Sequence, residues 1–146
     1  MNKYERIYSV EKYKNYVKGE WLEMQKIVGT TIKVNRGDVL NLSLSTELED
    51  GTTYTFHNGD KIVFSIYEKG KMSDSAVVMK EINVLEETET VDIGLTSEET
   101  KIGDFINKPI TYWYEVELND QYTIIGYDEN GAKEFMLYPE GSKISE

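Results

Sequence analysis

From residue 30 onward the chain alternates apolar and polar side chains with a period of two, in short runs separated by turn-forming residues. Leu40, Leu42 and Leu44 alternate with Asn41, Ser43 and Ser45. Ile62, Phe64 and Ile66 oppose Val63, Ser65 and Tyr67, and Tyr112, Tyr114, Val116 and Leu118 oppose Trp113, Glu115 and Glu117. That period belongs to a half-buried strand, because successive side chains point to opposite faces of a sheet. Residues 31–34, 76–82, 88–95, 122–127 and 135–138 read as further extended runs. Asn35-Arg36-Gly37-Asp38, Asn58-Gly59, Asn119-Asp120 and Asn130-Gly131 punctuate them with residues that tolerate positive φ. The first of these turns predicts a hairpin joining residues 31–34 to 40–45. Residues 96–101 predict a short capped helical turn, with a Thr or Ser hydroxyl ahead of Glu98 and Glu99.

About seven to nine short strands, spaced by about 8–12 residues with hairpin signals between them, predict an all-β fold. The expected architecture is an antiparallel β-sandwich with immunoglobulin-like or Greek-key connections. No helical pattern of about 10–15 residues separates the strands, which disfavours a parallel α/β sheet.

Charge divides the chain in two. Its 146 residues hold 16 Lys and Arg against 27 Asp and Glu, a formal net charge of −11. Residues 1–28 carry six of the cations (Lys3, Arg6, Lys12, Lys14, Lys18, Lys26) against only Glu5, Glu11, Glu20 and Glu23, so nearly all the acidity lies beyond them. The same stretch has Tyr4, Tyr8, Tyr13, Tyr16 and Trp21. Its apolar spacing leans towards 3.6 residues, which predicts one or two short helical pieces. The expected organisation is a basic, aromatic N-terminal arm, residues 1–28, on a β-sandwich domain, residues 29–146. Tyr and Trp anchor interfaces and opposite charge steers association. Tyr4, Tyr8, Tyr13, Tyr16, Trp21 and the outward-facing Trp113 are therefore the candidate interface residues.

Composition narrows the chemistry. The chain has no Cys, so disulfides, thiolate nucleophiles and Cys-based metal sites are excluded. The acidic balance opposes binding to phosphate backbones, and no apolar run reaches the roughly 18–20 residues of a membrane span. Neither nucleic acid nor membrane insertion is expected. The single His57 has no second His at ligand spacing and no nucleophile motif beside it, which favours an exposed loop histidine. Glu115 and Glu117 sit on one strand face, the arrangement a glycosidase would need only if they converged in a cleft; a solvated face is the simpler reading. Asp128-Glu129-Asn130-Gly131 and residues 47–51 place oxygen ligands in turns, but neither has the spacing of a calcium loop. Arg36-Gly37-Asp38 spells an adhesion tripeptide and is explained equally well as a turn. No catalytic residue, cofactor or metal is expected. Tyr112, Trp113, Tyr114, Tyr122 and Tyr127 could form either a sugar-binding platform or the core and interface of a sandwich, and alternation favours the second.

Five collinear segments carry a resemblance. They are residues 32–38 (Ile-Lys-Val-Asn-Arg-Gly-Asp), 54–62 (Tyr-Thr-Phe-His-Asn-Gly-Asp-Lys-Ile), 95–100 (Leu-Thr-Ser-Glu-Glu-Thr), 112–118 (Tyr-Trp-Tyr-Glu-Val-Glu-Leu) and 122–126 (Tyr-Thr-Ile-Ile-Gly). Together they resemble the N-terminal domain of phage baseplate upper proteins and related phage tail or minor structural proteins. The resemblance spans about residues 30–138, leaves out the basic arm, and ends where many relatives continue into further regions. It implies a non-catalytic β-sandwich subunit of a phage or prophage virion that assembles with other tail or baseplate proteins, or with copies of itself. Such a subunit would reside in the virion tail, and in the host cytoplasm during assembly. The alternative is a carbohydrate-binding β-sandwich module.

Overall fold

A computed structural model describes residues 31–46 and 52–140 in full, together with the backbone of the strand residues 9–12, 14–17, 20–23 and 26–28. In chain order the strands are β1 (Ser9–Lys12), β2 (Lys14–Val17), β3 (Glu20–Glu23), β4 (Lys26–Val28), β5 (Thr31–Asn35), β6 (Leu40–Ser45), β7 (Lys61–Glu68), β8 (Val78–Asn83), β9 (Val91–Leu95), β10 (Ile110–Leu118), β11 (Tyr122–Ile125) and β12 (Lys133–Tyr138). The larger sheet runs β4-β5-β12-β10-β7-β8, with β11 also paired to β10, and the smaller runs β1-β6-β9. Among the described residues no helix is long and apolar enough to cross a membrane.

The alternating residues supply the two inner faces. Leu40, Leu42, Leu44, Val91, Ile93 and Leu95 from the smaller sheet meet Ile32, Val34, Ile62, Phe64, Ile66, Tyr112, Tyr114, Val116, Leu118, Phe135 and Leu137 from the larger in one buried cluster. Each large side chain fully removed from water contributes about 1.5–3 kcal/mol. Phe64 and Tyr114 touch at a ring separation of 5.6 Å. Burial pushes the Tyr114 phenol far above its ordinary pKa. The order β8-β7-β10-β12, facing β6 and β9, is that of strands C′, C, F and G facing B and E in an immunoglobulin-type sandwich.

Three details depart from the sequence expectation. Residues 31–34 and 40–45 do not form a hairpin: β5 joins the larger sheet and β6 the smaller. The turn between them carries the chain from one layer to the other, with Gly37 at φ +91°. Second, β5 pairs with β12 in parallel, Phe135 opposite Ile32 and Leu137 opposite Val34, so the sandwich is not antiparallel throughout. Third, the described parts of residues 9–28 are strands, not helical pieces. Val, Ile, Tyr and Trp favour the extended backbone, and this outweighs a loose 3.6-residue spacing. Backbone pairing of β1 with β6 and of β4 with β5 carries this stretch to an edge of each sheet, and β2 and β3 form a ribbon of their own.

One edge of β10 is shared. β12 pairs with residues Ile110 to Tyr114 and β11 with Val116 to Leu118, so residues 126–132 form an excursion between two parts of one neighbouring strand. Asn119 (φ 56°) and Asp120 (φ 57°) make the β10–β11 turn, two successive left-handed residues as a type I′ hairpin requires.

Candidate functional site

The segments that carry the resemblance serve first as framework. At one end of the sandwich, Asp60 accepts hydrogen bonds from the Tyr54 hydroxyl (2.8 Å), the His57 backbone N–H (2.9 Å) and the Asn119 side-chain amide (3.1 Å). Burial works against ionisation of this carboxylate, but the three donors outweigh it and hold the pKa below its ordinary value. Asn119 in turn accepts the Lys61 N–H at 2.8 Å, tying the β10–β11 turn to the start of β7. His57 is 58% exposed, and its Nδ1 lies 3.3 Å from the Tyr54 hydroxyl. It sits in the exposed loop that the sequence indicates.

The layer crossing is pinned as well. Buried Thr100 accepts the Gly37 N–H at 3.0 Å and donates to the Asp38 carbonyl at 2.8 Å. Arg36 donates to the Gly103 carbonyl at 2.6 Å and pairs with Glu140 at 3.2 Å. Arg36-Gly37-Asp38 is thus internal scaffolding, not a displayed tripeptide. Residues 96–100 form the capped turn: the Thr96 hydroxyl accepts the Glu99 N–H and Glu99 accepts the Thr96 N–H, a reciprocal capping box. The Thr96 N–H and then Lys80 lower the Glu99 pKa.

A cleft of about 450 Å³ opens beside this turn, lined by Glu68, Met79, Glu98, Lys101, Ile102 and Tyr112 among others. Its charges are largely compensated, Glu68 by Lys71, Glu98 by Lys101 and Glu99 by Lys80. Glu115 and Glu117 do not line it. Lys80 occupies an inward-facing position on the edge strand β8, opposite Phe64. A charge there discourages a further strand from adding to that edge.

The outer face of the larger sheet is the more distinctive surface. Trp113 lies between Tyr67 on β7 and Glu134 on β12, Glu115 lies opposite Ser65, and Glu117 opposite Val63. Ser65 and Tyr67 point away from the core yet are only 3% and 8% exposed, because their neighbours on this face cover them. The Tyr67 hydroxyl donates to Glu115 Oε2 at 3.3 Å. Burial, with the Glu117 charge adding to it, raises the Glu115 pKa above the usual carboxylate range. The 126–132 excursion crosses closely: a Cβ on Gly126 would fall 2.5 Å from Thr123 Cγ2 and 3.7 Å from Glu115 Cβ. It delivers Tyr127, 67% exposed, edge to face onto Trp113, with centroids 6.1 Å apart and ring planes at 68°. Met79 adds an exposed apolar side chain on β8.

Of the aromatic residues weighed from sequence, Tyr112 and Tyr114 belong to the core, Tyr122 packs against it, and Trp113 and Tyr127 form the surface pair. Tyr4, Tyr8 and Tyr13 lie outside the described residues, whereas Tyr16 and Trp21 are register partners across the β2–β3 ribbon. Tyr67, Gly126 and Tyr127 complete a patch that the candidate list represented by Trp113 alone. The signal for Gly126-Tyr127 was the interruption of an extended run by glycine. At Asp128 the carboxylate accepts the Asn130 N–H at 2.8 Å and pairs with Lys133 at 2.8 Å, which is turn chemistry; residues 47–51 lie outside the described residues. Comparison with protein-family models, curated proteins and solved structures gives no match to this chain.

Proposed function

We propose that this chain is a non-catalytic structural subunit of a phage or prophage virion, a tail or baseplate component that assembles through protein interfaces. The carrying observation is the outer face of the larger sheet, where Trp113, Tyr127 and Met79 stand exposed or half-buried over a packed floor of Tyr67 and Ser65. Aromatic residues and Met are enriched at protein interfaces, and a packed floor limits the ordering cost of binding. The phage assignment rests on the five segments that resemble baseplate proteins. In this chain the Tyr54–Asp60–Asn119 and Gly37–Thr100 contacts give three of those segments a framework role, as expected of a module whose chemistry is assembly. The Trp113 and Tyr127 planes stand at 68° and do not make one coplanar stacking surface, which favours a protein partner over a sugar.

Co-expression with the products of neighbouring genes, followed by light scattering on the purified material, tests the reading. The expected result is a particle of defined stoichiometry, well above the 16.9 kDa of one chain. A protein that stays monomeric alone and with every neighbouring product would overturn it.

A further inference from the structure

The outer face of the larger sheet carries acids that have no ion-pair partner among the described residues. Glu115, Glu117 and Glu134 share that face with Trp113. Among the described residues none of the three has a Lys or Arg within ion-pair distance. Lys33, opposite Met136 on the same face, pairs with none of them; Lys133 is held by Asp128 and by the Gly131 carbonyl at 3.2 Å, and Lys61 by Asp120 at 2.6 Å. The two rings beside these acids meet at an angle, making a corner rather than a shelf.

This combination selects among partners. An apolar segment laid over the face would bury unpaired carboxylates, which is costly. A phosphate backbone would be repelled. A cationic side chain gains twice, from the faces of the aromatic rings and from the carboxylates, and a guanidinium can stack and form paired hydrogen bonds at once. The neighbouring edge strand β8, with Lys80 turned inward, is a poorer site for adding a partner strand.

We infer that the Trp113–Tyr127 corner, with Glu115, Glu117 and Glu134 around it, docks an arginine- or lysine-bearing segment of a partner protein. The inference rests on the assembly reading and names the partner's chemistry. A bound cation next to Glu115 also relieves the cost of keeping that carboxylate ionised, so docking and ionisation reinforce each other.

The test is fluorescence anisotropy of a labelled tetra-arginine peptide titrated with the full chain at low salt. The expected result is saturable binding that weakens about tenfold or more in the Glu115→Gln/Glu134→Gln double variant, as the loss of close charge pairs implies. Tyr127→Ala weakens it severalfold, and 0.5 M salt abolishes most of it. Glu86→Gln/Glu87→Gln, which removes the same charge from the exposed loop between β8 and β9, changes it less than about twofold. Circular dichroism confirms that each variant is folded. No binding overturns the inference, and so does equal weakening by the two double variants, which would mark general attraction to an acidic protein. Assembly with neighbouring gene products but no peptide binding overturns this inference alone; peptide binding with the expected pattern in a chain that never assembles supports the patch and removes the assembly reading.

Discussion

Trp113 on β10 and Tyr127 in the excursion between β11 and β12 meet edge to face, with centroids 6.1 Å apart, on the side of the larger sheet that faces away from the core. They lie fourteen positions apart in the chain. They meet because β11 and β12 share one edge of β10, and the residues between these strands must pass over the sheet. Two large rings are therefore held on the surface by topology, where the core does not need them.

Tyr127→Ala leaves the core intact, so its effect on stability should stay within about 1 kcal/mol. Its effect on partner affinity should be larger, about tenfold or more if the pair forms a binding hot spot. Urea denaturation and partner titration on the same preparation check both numbers.

Glu115→Gln should stabilise the fold near neutral pH, and the gain should depend on pH. Burial raises the folded-state pKa of Glu115 above the unfolded value, so the folded state holds its proton more tightly. The stability associated with the protonated group is fully present below the unfolded value and is lost as pH rises through the folded one. Wild type and variant should converge at low pH and separate, with the variant higher, above the raised pKa. Thermal midpoints at intervals from pH 4 to 8 read this out.

Asp60→Asn should show the opposite dependence. The folded-state pKa of Asp60 is lowered, so its contribution is present above the unfolded value and lost as pH falls through the folded one. At neutral pH the variant loses charge-assisted acceptance of the His57 N–H, at a cost of about 1–3 kcal/mol. The difference from wild type should shrink in acid, as followed by urea midpoints from pH 6 downward.

Gly126→Ala tests the close crossing. A Cβ there would meet Thr123 Cγ2 at 2.5 Å, so either the exposed Thr123 side chain turns aside or the backbone shifts, and a loss of about 1 kcal/mol is expected. A cost well below 1 kcal/mol in thermal unfolding would show that the excursion yields easily.

Much of the fold was legible in local pattern. Alternation placed Leu40, Leu42 and Leu44 on one inner face and Ile62, Phe64, Ile66, Tyr112 and Tyr114 on the other, because burial on one face imposes a period of two. The capped turn was legible because Thr96 and Glu99 are three residues apart. The layer crossing at Gly37 was not. Turn residues permit a reversal without choosing the strand's partner, and β5 pairs with β12, about a hundred residues later. Nor was the outer patch legible beyond Trp113 and Tyr127. Tyr67 and Ser65 are buried on the face that alternation assigns to solvent, by residues from other strands whose register only the fold supplies.

Carboxyl footprinting with a water-soluble carbodiimide, on the free chain and on its co-assembled complex, tests the proposed assembly surface most directly. Glu115, Glu117 and Glu134 should lose most of their reactivity on assembly, while Glu86 and Glu87 keep theirs. Equal labelling of the three glutamates in free and assembled protein would contradict assembly through this face.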